Sequence, residues 1–134
     1  MIYVTGYIAA LIAFGAIDAV WLRVMGPALY RPTLGDILLT DIRLAPAVTF
    51  YAIYPVGLLV FAVMPASKSG STASAVGSGL LFGAIAYATY DLTNFATLRN
   101  WTLQITLLDI AYGAAASAFA AFVSLLVVRA ISPA

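Results

Sequence analysis

The chain has 134 residues, of which 64% are hydrophobic and 8% are charged, and its formal net charge is +1. Because an ordinary soluble domain carries about 25% charged residues, this chain cannot cover a water-exposed surface, and lipid is the solvent that fits. Histidine and cysteine are absent, which excludes disulfides, the common zinc sites and His-ligated haem or chlorophyll.

Four stretches are apolar and long enough to cross a bilayer, since a spanning helix needs about 20 such residues. The predicted helices cover residues 2–25, 44–64, 74–98 and 101–128 of a single transmembrane domain, 1–134. The sequence therefore predicts an all-α integral membrane protein, a four-helix antiparallel bundle with a short interfacial segment between the first two helices.

The segment between the first and second predicted helices, residues 26–43, contains four of the charged residues. Thr33, with Asp36 three residues later, resembles a capping box at the start of a helix. The segment is therefore either an interfacial amphipathic turn or an N-terminal extension of the second helix, bent near Pro46.

The remaining connections and the positive charges predict the orientation of the helices. Residues 65–73 are rich in serine and glycine and predict a flexible loop, whereas residues 99–100 predict a tight turn. Cytoplasmic loops carry an excess of lysine and arginine. The face with the 99–100 turn carries more of them (Arg23, Arg31, Arg43, Arg99) than the opposite face (Lys68, Arg129). We therefore expect a bacterial inner-membrane protein with both termini on the periplasmic side.

Three aspartates lie inside predicted helices, where a charged side chain at the bilayer centre costs at least ~2.5–3.5 kcal/mol. Asp18 is late in the first helix, Asp91 is late in the third, and Asp109 is early in the fourth. Counting residues from the arginine-rich ends places all three in the same leaflet. They are the candidate catalytic residues.

Helical spacing adds further polar side chains to this cluster. Tyr87, Asp91 and Asn94 form one stripe on the third helix. The predicted ligand-binding or polar cluster contains Tyr87, Tyr90, Thr93, Asn94, Tyr51, Tyr54, Arg23 and Arg99. Polar side chains inside bundles can instead only tie helices together, at roughly 0.6 kcal/mol per hydrogen bond, and both interpretations stay open. Trp21 and Trp101 lie where an aromatic belt is expected.

The stretch FGAIAYATYDLTNFATLRNW resembles the signature of bacterial predicted membrane proteins known as domain of unknown function 2177. DAVWL, FYAIYPVGLLVFAVMPA and TLLDIAYG agree with the same pattern, so the resemblance covers nearly the whole chain. Tyr112 departs from it, since tryptophan is expected there. The resemblance implies a multi-pass architecture and no particular reaction. The positions that it marks are Asp18, Trp21, Tyr90, Asp91, Thr93, Asn94 and Asp109.

Three functions remain open from the sequence. The first is an accessory subunit of a larger membrane complex, because the chain shows no soluble domain or cofactor motif. The second is a membrane enzyme or binding protein for a lipid or isoprenoid, since a carboxyl group in low dielectric can act as acid or base. The third is a proton-coupled transporter, which four helices form only as an oligomer.

The expected partners are membrane lipids, other membrane subunits or a second copy, and no nucleic acid. We expect no cofactor and no metal. In particular, the single lysine, Lys68, lies in a Ser/Gly-rich stretch, so a retinal Schiff base inside the membrane is not expected.

Overall fold

A computed structural model describes residues 1–132, and these form four long helices without strands. The helices are α1 (Ile2–Ile37), α2 (Leu44–Ser69), α3 (Thr72–Thr97) and α4 (Leu103–Ile131). Each is long and apolar enough to cross a membrane. The short links between them make successive helices antiparallel, so the predicted all-α four-helix membrane architecture is confirmed.

Helix α1 continues well beyond its predicted end. After Met25 the chain enters a π-helical turn, Gly26–Tyr30, and remains helical through Ile37. Pro27 has no N–H to donate, which favours a change in hydrogen-bonding register here rather than a regular α-turn. Thr33 makes no capping bond, so the capping-box interpretation is wrong. Residues 26–37 are an extension of α1, neither a separate interfacial turn nor a part of α2.

Helix α2 is also longer than predicted. It passes through a second π-helical turn, Leu59–Val63, and ends at Ser69. The flexible loop predicted for residues 65–73 is wrong, because α3 begins at Thr72 with the Ser71 hydroxyl accepting a hydrogen bond from the Ser74 N–H at 3.1 Å. Gly70 makes the reversal with a positive φ of 72°, a conformation that glycine adopts without steric cost.

The closest helix packing is between α3 and α4, along small residues on both. A Cβ atom at Gly83 would overlap the carbonyl oxygen of Gly113, and one at Gly79 would lie 2.9 Å from the Ser117 carbonyl oxygen. Such small residues let helix backbones approach closely, which is how membrane helices gain contact energy. This contact fixes the two helices that carry Asp91 and Asp109.

The outward faces of the helices are apolar, as lipid contact requires. Large hydrophobic side chains are exposed on every helix, among them Ile12, Ile53, Leu81 and Leu107. Hydroxyl groups on these faces bond to a carbonyl oxygen of the preceding turn, as at Thr49, Thr89 and Thr97. Polar groups in lipid need such internal partners, so these surfaces suit a bilayer.

Candidate functional site

The three intramembrane aspartates meet inside the bundle, near the end of the molecule that contains the α3–α4 turn. Asp18, Asp91 and Asp109 are 6%, 0% and 7% exposed. We refer to Asp18, Asp91 and Asp109 as the carboxyl cluster. One aspartate comes from each of α1, α3 and α4, so the cluster exists only when these helices pack together.

Asp18 is supplied with two hydrogen-bond donors. The Tyr112 hydroxyl donates to Asp18 Oδ1 at 2.6 Å, and the Tyr51 hydroxyl donates to Asp18 Oδ2. Tyr112 comes from α4 and Tyr51 from α2. Both oxygens of this buried carboxyl are therefore satisfied, and the bonds tie three helices to one side chain.

Asp109 has a donor from the extension of α1. The Tyr30 hydroxyl donates to Asp109 Oδ1, and Trp21 Nε1 donates to the same hydroxyl at 2.9 Å. The Trp21 ring also stacks on the Tyr112 ring, with centroids 4.1 Å apart. Since Tyr112 bonds to Asp18, these contacts join the surroundings of Asp109 and Asp18 into one network.

Asp91 differs from the other two aspartates. It is fully buried, and neither carboxyl oxygen accepts a hydrogen bond from any donor in the described residues. It faces Asp109 across the α3–α4 contact, because the register that places Gly83 against Ser117 and Tyr87 against Gly113 places Asp91 opposite Asp109 one turn further on. Two ionised carboxylates are both acceptors, so a hydrogen bond between this pair requires a proton on one of them.

An apolar layer covers the network on the side of the α3–α4 turn. Leu34, Trp101 and Ile105 form a buried cluster with Tyr30 packed against it. The Trp101 indole N–H donates to Thr106 Oγ1 at 3.2 Å. This layer shields Asp109 from water. Trp101 is buried in this layer and Trp21 is half-buried against the Tyr112 ring. Their position in an aromatic belt stays a prediction.

A cleft opens sideways between α2 and α3, next to the network. The backbones of α2 and α3 are close from Leu59 onward, whereas the first half of α2, Leu44–Leu58, stands farther off and reaches α3 through side chains such as Tyr54 against Phe82. The gap is a cavity of ≈ 400 Å³, a volume in the range of small-molecule sites. We call it the lateral cleft, and it is lined by Phe50, Tyr54, Ala86, Tyr87 and Tyr90.

Two aromatic residues of the lateral cleft connect it with the network. The Tyr87 ring meets the Tyr112 ring edge-on at 5.9 Å, and a Cβ at Gly113 would overlap the Tyr87 ring. The Tyr54 hydroxyl lies 2.6 Å from Ser117 Oγ. The lateral cleft is therefore one side chain away from the tyrosine that bonds Asp18.

The predicted site residues divide into two groups. Tyr51 bonds within the network, while Tyr54, Tyr87 and Tyr90 line the lateral cleft. Asn94 is half-buried on α3 and is not part of the cleft lining. The others lie outside it. Thr93 is exposed and donates to the backbone oxygens of its own helix at 2.6 and 2.9 Å. Arg23 and Arg99 are exposed at the surface, because their long charged side chains favour the water interface over the bundle interior.

Three contributors were missed by sequence reasoning. Tyr30 was assigned to a connecting segment, and only the helical continuation of α1 brings it to Asp109. Tyr112 follows Asp109 by three residues, a spacing that puts both near one face of α4, so the signal was present. Ser117 lies in a run of small residues that predicts packing and gives no indication of its bond to Tyr54.

The main chemical groups of the site are carboxyl oxygens, which accept hydrogen bonds. The tyrosine hydroxyls at Asp18 and Asp109 already donate to carboxyl oxygens. In the part of the chain that the structure describes, no lysine or arginine donates to Asp91 or Asp109. Within residues 1–132, no three carboxyl groups are arranged to hold a metal ion. The arrangement is suited to holding protons or to accepting hydrogen bonds from a bound molecule.

Comparison with known proteins identifies a family and no closer relative. No curated protein and no solved structure matches the chain. A family profile described as "Predicted membrane protein (DUF2177)" matches residues 3–126. This range contains the four spans almost completely, together with the carboxyl cluster and the lateral cleft. The resemblance drawn from the sequence motifs is confirmed, and the chain belongs to the DUF2177 family of predicted membrane proteins.

Proposed function

We propose that this membrane protein binds an amphipathic lipid or isoprenoid in the lateral cleft, with the polar end of the ligand near the carboxyl cluster. The observation that carries the proposal is the gap between the first half of α2 and α3, next to a buried polar network. Ligand sites combine an apolar cavity with a few convergent polar groups. The lateral cleft has aromatic walls and lies beside tyrosine and aspartate side chains.

The position of the lateral cleft favours a ligand that arrives from the bilayer. Phe50 and Tyr90 are exposed on the outer surface of the helices, where the surrounding medium is lipid. The apolar layer of Leu34, Trp101 and Ile105 covers the network at the neighbouring end of the bundle. A chain-bearing molecule can enter sideways without crossing water, whereas a small polar solute has no comparable route.

The experiment fills the lateral cleft with a larger side chain and measures the lipid that co-purifies with the protein. Ala86 lines the cleft, while its neighbour Ile85 is exposed on the outer face. Wild-type protein and the control Ile85→Trp, purified in mild detergent, should retain one lipid class above its share of the membrane. Ala86→Trp should retain at least about tenfold less, equivalent to ~1.4 kcal/mol of binding free energy. Mass spectrometry of the extracted lipid measures this. No enrichment in the wild type, or equal retention in both variants, would refute the proposal.

An accessory subunit of a larger membrane complex is the second proposed function. Its support is an apolar groove of ≈ 720 Å³ between α1 and α4, whose lining includes Ala16 and Phe119. A transmembrane helix of another protein can fill such a groove. Native purification should then recover a stable complex that Ala16→Trp disrupts and Ala19→Trp, outside the groove, does not. A protein that purifies alone in both cases would argue against this role.

We also propose a bacterial inner-membrane location with the carboxyl cluster in the cytoplasmic leaflet. The support is the charge distribution, since Arg23, Arg31, Arg43 and Arg99 are exposed near the same end as the cluster. Loops and helix ends that are rich in lysine and arginine stay on the cytoplasmic side of the membrane. This orientation would place both termini in the periplasm.

A further inference from the structure

We propose that Asp91 and Asp109 form a proton-holding pair, with a single proton shared between their carboxyl groups, and that this pair is the acid–base group of the site. The shared proton concerns these two side chains alone and does not depend on lipid binding, whereas its exchange with a ligand rests on the proposed lipid site. Asp18, the third aspartate, is assigned a different role, as a hydrogen-bond acceptor that joins helices.

The first step of the argument is the isolation of Asp91. Its side chain is 0% exposed, and neither oxygen accepts a hydrogen bond from a donor in the described residues. A buried charge without partners is strongly disfavoured. Asp18 has a comparable burial, yet each of its oxygens accepts a tyrosine hydroxyl. Burial alone therefore does not distinguish the two aspartates; the supply of donors does.

The second step is the nature of the neighbour. The group opposite Asp91 is Asp109, because the antiparallel α3–α4 register that pairs Gly83 with Ser117 and Tyr87 with Gly113 pairs Asp91 with Asp109 one turn further on. Two adjacent carboxylates repel each other. One proton turns this repulsion into an O–H···O hydrogen bond, in which one carboxyl donates and the other accepts. A second proton is not needed, because Asp109 Oδ1 already accepts the Tyr30 hydroxyl.

The third step is the absence of a compensating positive charge at the pair. Four titratable groups interact electrostatically with the carboxyl pair. They are Tyr30 from the extension of α1, Asp18 from α1, and Tyr87 and Tyr90 from α3. None of these carries a positive charge. Within residues 1–132, no lysine or arginine donates a hydrogen bond to either carboxyl. A proton is the cation that the geometry accommodates.

A shared proton allows the carboxyl pair to act both as an acid and as a base. The protonated carboxyl can donate a proton to a basic group, and the ionised carboxyl can accept one from an acidic group. Resting on the proposed lipid site, the proton would be exchanged with the polar end of the ligand. The carboxyl pair would then be the part of the site that reacts, while the lateral cleft holds the chain.

Infrared spectroscopy of protein carrying carboxyl-¹³C aspartate tests the pair directly. Glutamate is absent from the sequence, so the label covers every acidic side chain. An ester-free detergent avoids the carbonyl bands of lipids. At neutral pH, we expect one protonated carboxyl per molecule in the wild type. Its isotope-sensitive C=O band should disappear in Asp91→Asn. The band should shift in Asp109→Asn, because buried Asp91 keeps its proton but loses the carboxyl that accepts its hydrogen bond, and it should remain unchanged in Asp18→Asn and in the exposed control Asp36→Asn.

The wild-type spectrum tests the proposal even if a variant fails to fold, because it requires no substitution. A wild type without any protonated aspartate at neutral pH would overturn the proposal, and so would two protonated carboxyls per molecule. A band that persists in Asp91→Asn, stays unshifted in Asp109→Asn, or vanishes in Asp18→Asn with folding intact would also refute it. Since lipid retention is measured separately with Ala86→Trp, failure of the proton pair is distinguishable from failure of the lipid site.

Discussion

The three buried aspartates of this protein differ in the number of hydrogen-bond donors around each carboxyl group. Asp18, Asp91 and Asp109 are all nearly or fully buried, but they have two, none and one tyrosine hydroxyl as donors. A buried carboxyl with two donors is a structural acceptor, whereas one without donors is available for chemistry. The residue type and depth are equal, so the difference comes from neighbours on other helices.

Asp18→Leu should destabilise the bundle more than Asp18→Asn. Leucine leaves the Tyr51 and Tyr112 hydroxyls without their acceptor, and each unsatisfied buried polar group costs about 1–3 kcal/mol. Asparagine keeps one side-chain oxygen and should lose roughly half as much. Unfolding in mixed detergent micelles measures the free energy of each variant. Asp41→Leu, in the exposed link between α1 and α2, is the control, and a stable Asp18→Leu would contradict the structural role.

Helices in this protein are positioned by small residues as much as by hydrophobic ones. The α3–α4 contact depends on Gly79, Gly83 and Gly113, where an added Cβ would meet a backbone or aromatic atom. The same contact sets the distance between Asp91 on α3 and Asp109 on α4. The glycines therefore determine the geometry of the carboxyl pair although none of them is polar.

Gly83→Ala should destabilise the protein, whereas Gly77→Ala on the same helix should not. The added methyl group at Gly83 would overlap the Gly113 carbonyl oxygen and the Ser117 side chain, while at Gly77 it meets nothing within 4 Å. Overpacking costs about 1–3 kcal/mol, and alanine in an open helical position gains roughly 0.5–1 kcal/mol over glycine. Thermal unfolding in detergent compares the two variants. Equal stability would mean that α3 and α4 are not in close contact.

The whole molecule is asymmetric across the membrane. The carboxyl cluster, the apolar layer of Leu34, Trp101 and Ile105, and the exposed part of the lateral cleft all belong to one half of the bundle. The other half is closed by a hydrophobic core that includes Val63, Leu125 and Val128. The proposed exchange of lipid and protons would therefore take place in one leaflet, and the orientation of the protein would decide which aqueous compartment the site faces.

Single cysteines at Ser69 and Asn100 report that orientation, because the chain has no cysteine of its own. We expect a membrane-impermeant thiol reagent, added to intact bacterial cells expressing the protein, to label Ser69→Cys from outside. It should label Asn100→Cys only after the membrane is permeabilised, because the arginine-rich end stays in the cytoplasm. Labelling of both positions after permeabilisation is the control for accessibility. The reverse pattern would place the carboxyl cluster in the periplasmic leaflet.

The sequence by itself determined the four helices and the common depth of the three aspartates. Both follow from local properties, because hydropathy over about 20 residues defines a span and the fixed rise per residue defines depth. The spacing of Tyr87 and Asp91 along the sequence also predicts that they share one face of their helix. The predicted ends of the first two helices were too early, since π-helical turns at Gly26–Tyr30 and Leu59–Val63 carry α1 and α2 onward into the predicted connections.

Only the tertiary structure decided which side chain meets which. Tyr30 reaches Asp109 because the extension of α1 folds over the start of α4, and Asp91 lacks a donor because the residues facing it supply none. The lateral cleft exists because the backbones of α2 and α3 are close along only half the length of α2. These features depend on the rotation and crossing of helices far apart in sequence, which close contacts at small residues set. Periodicity along one helix carries no information about them.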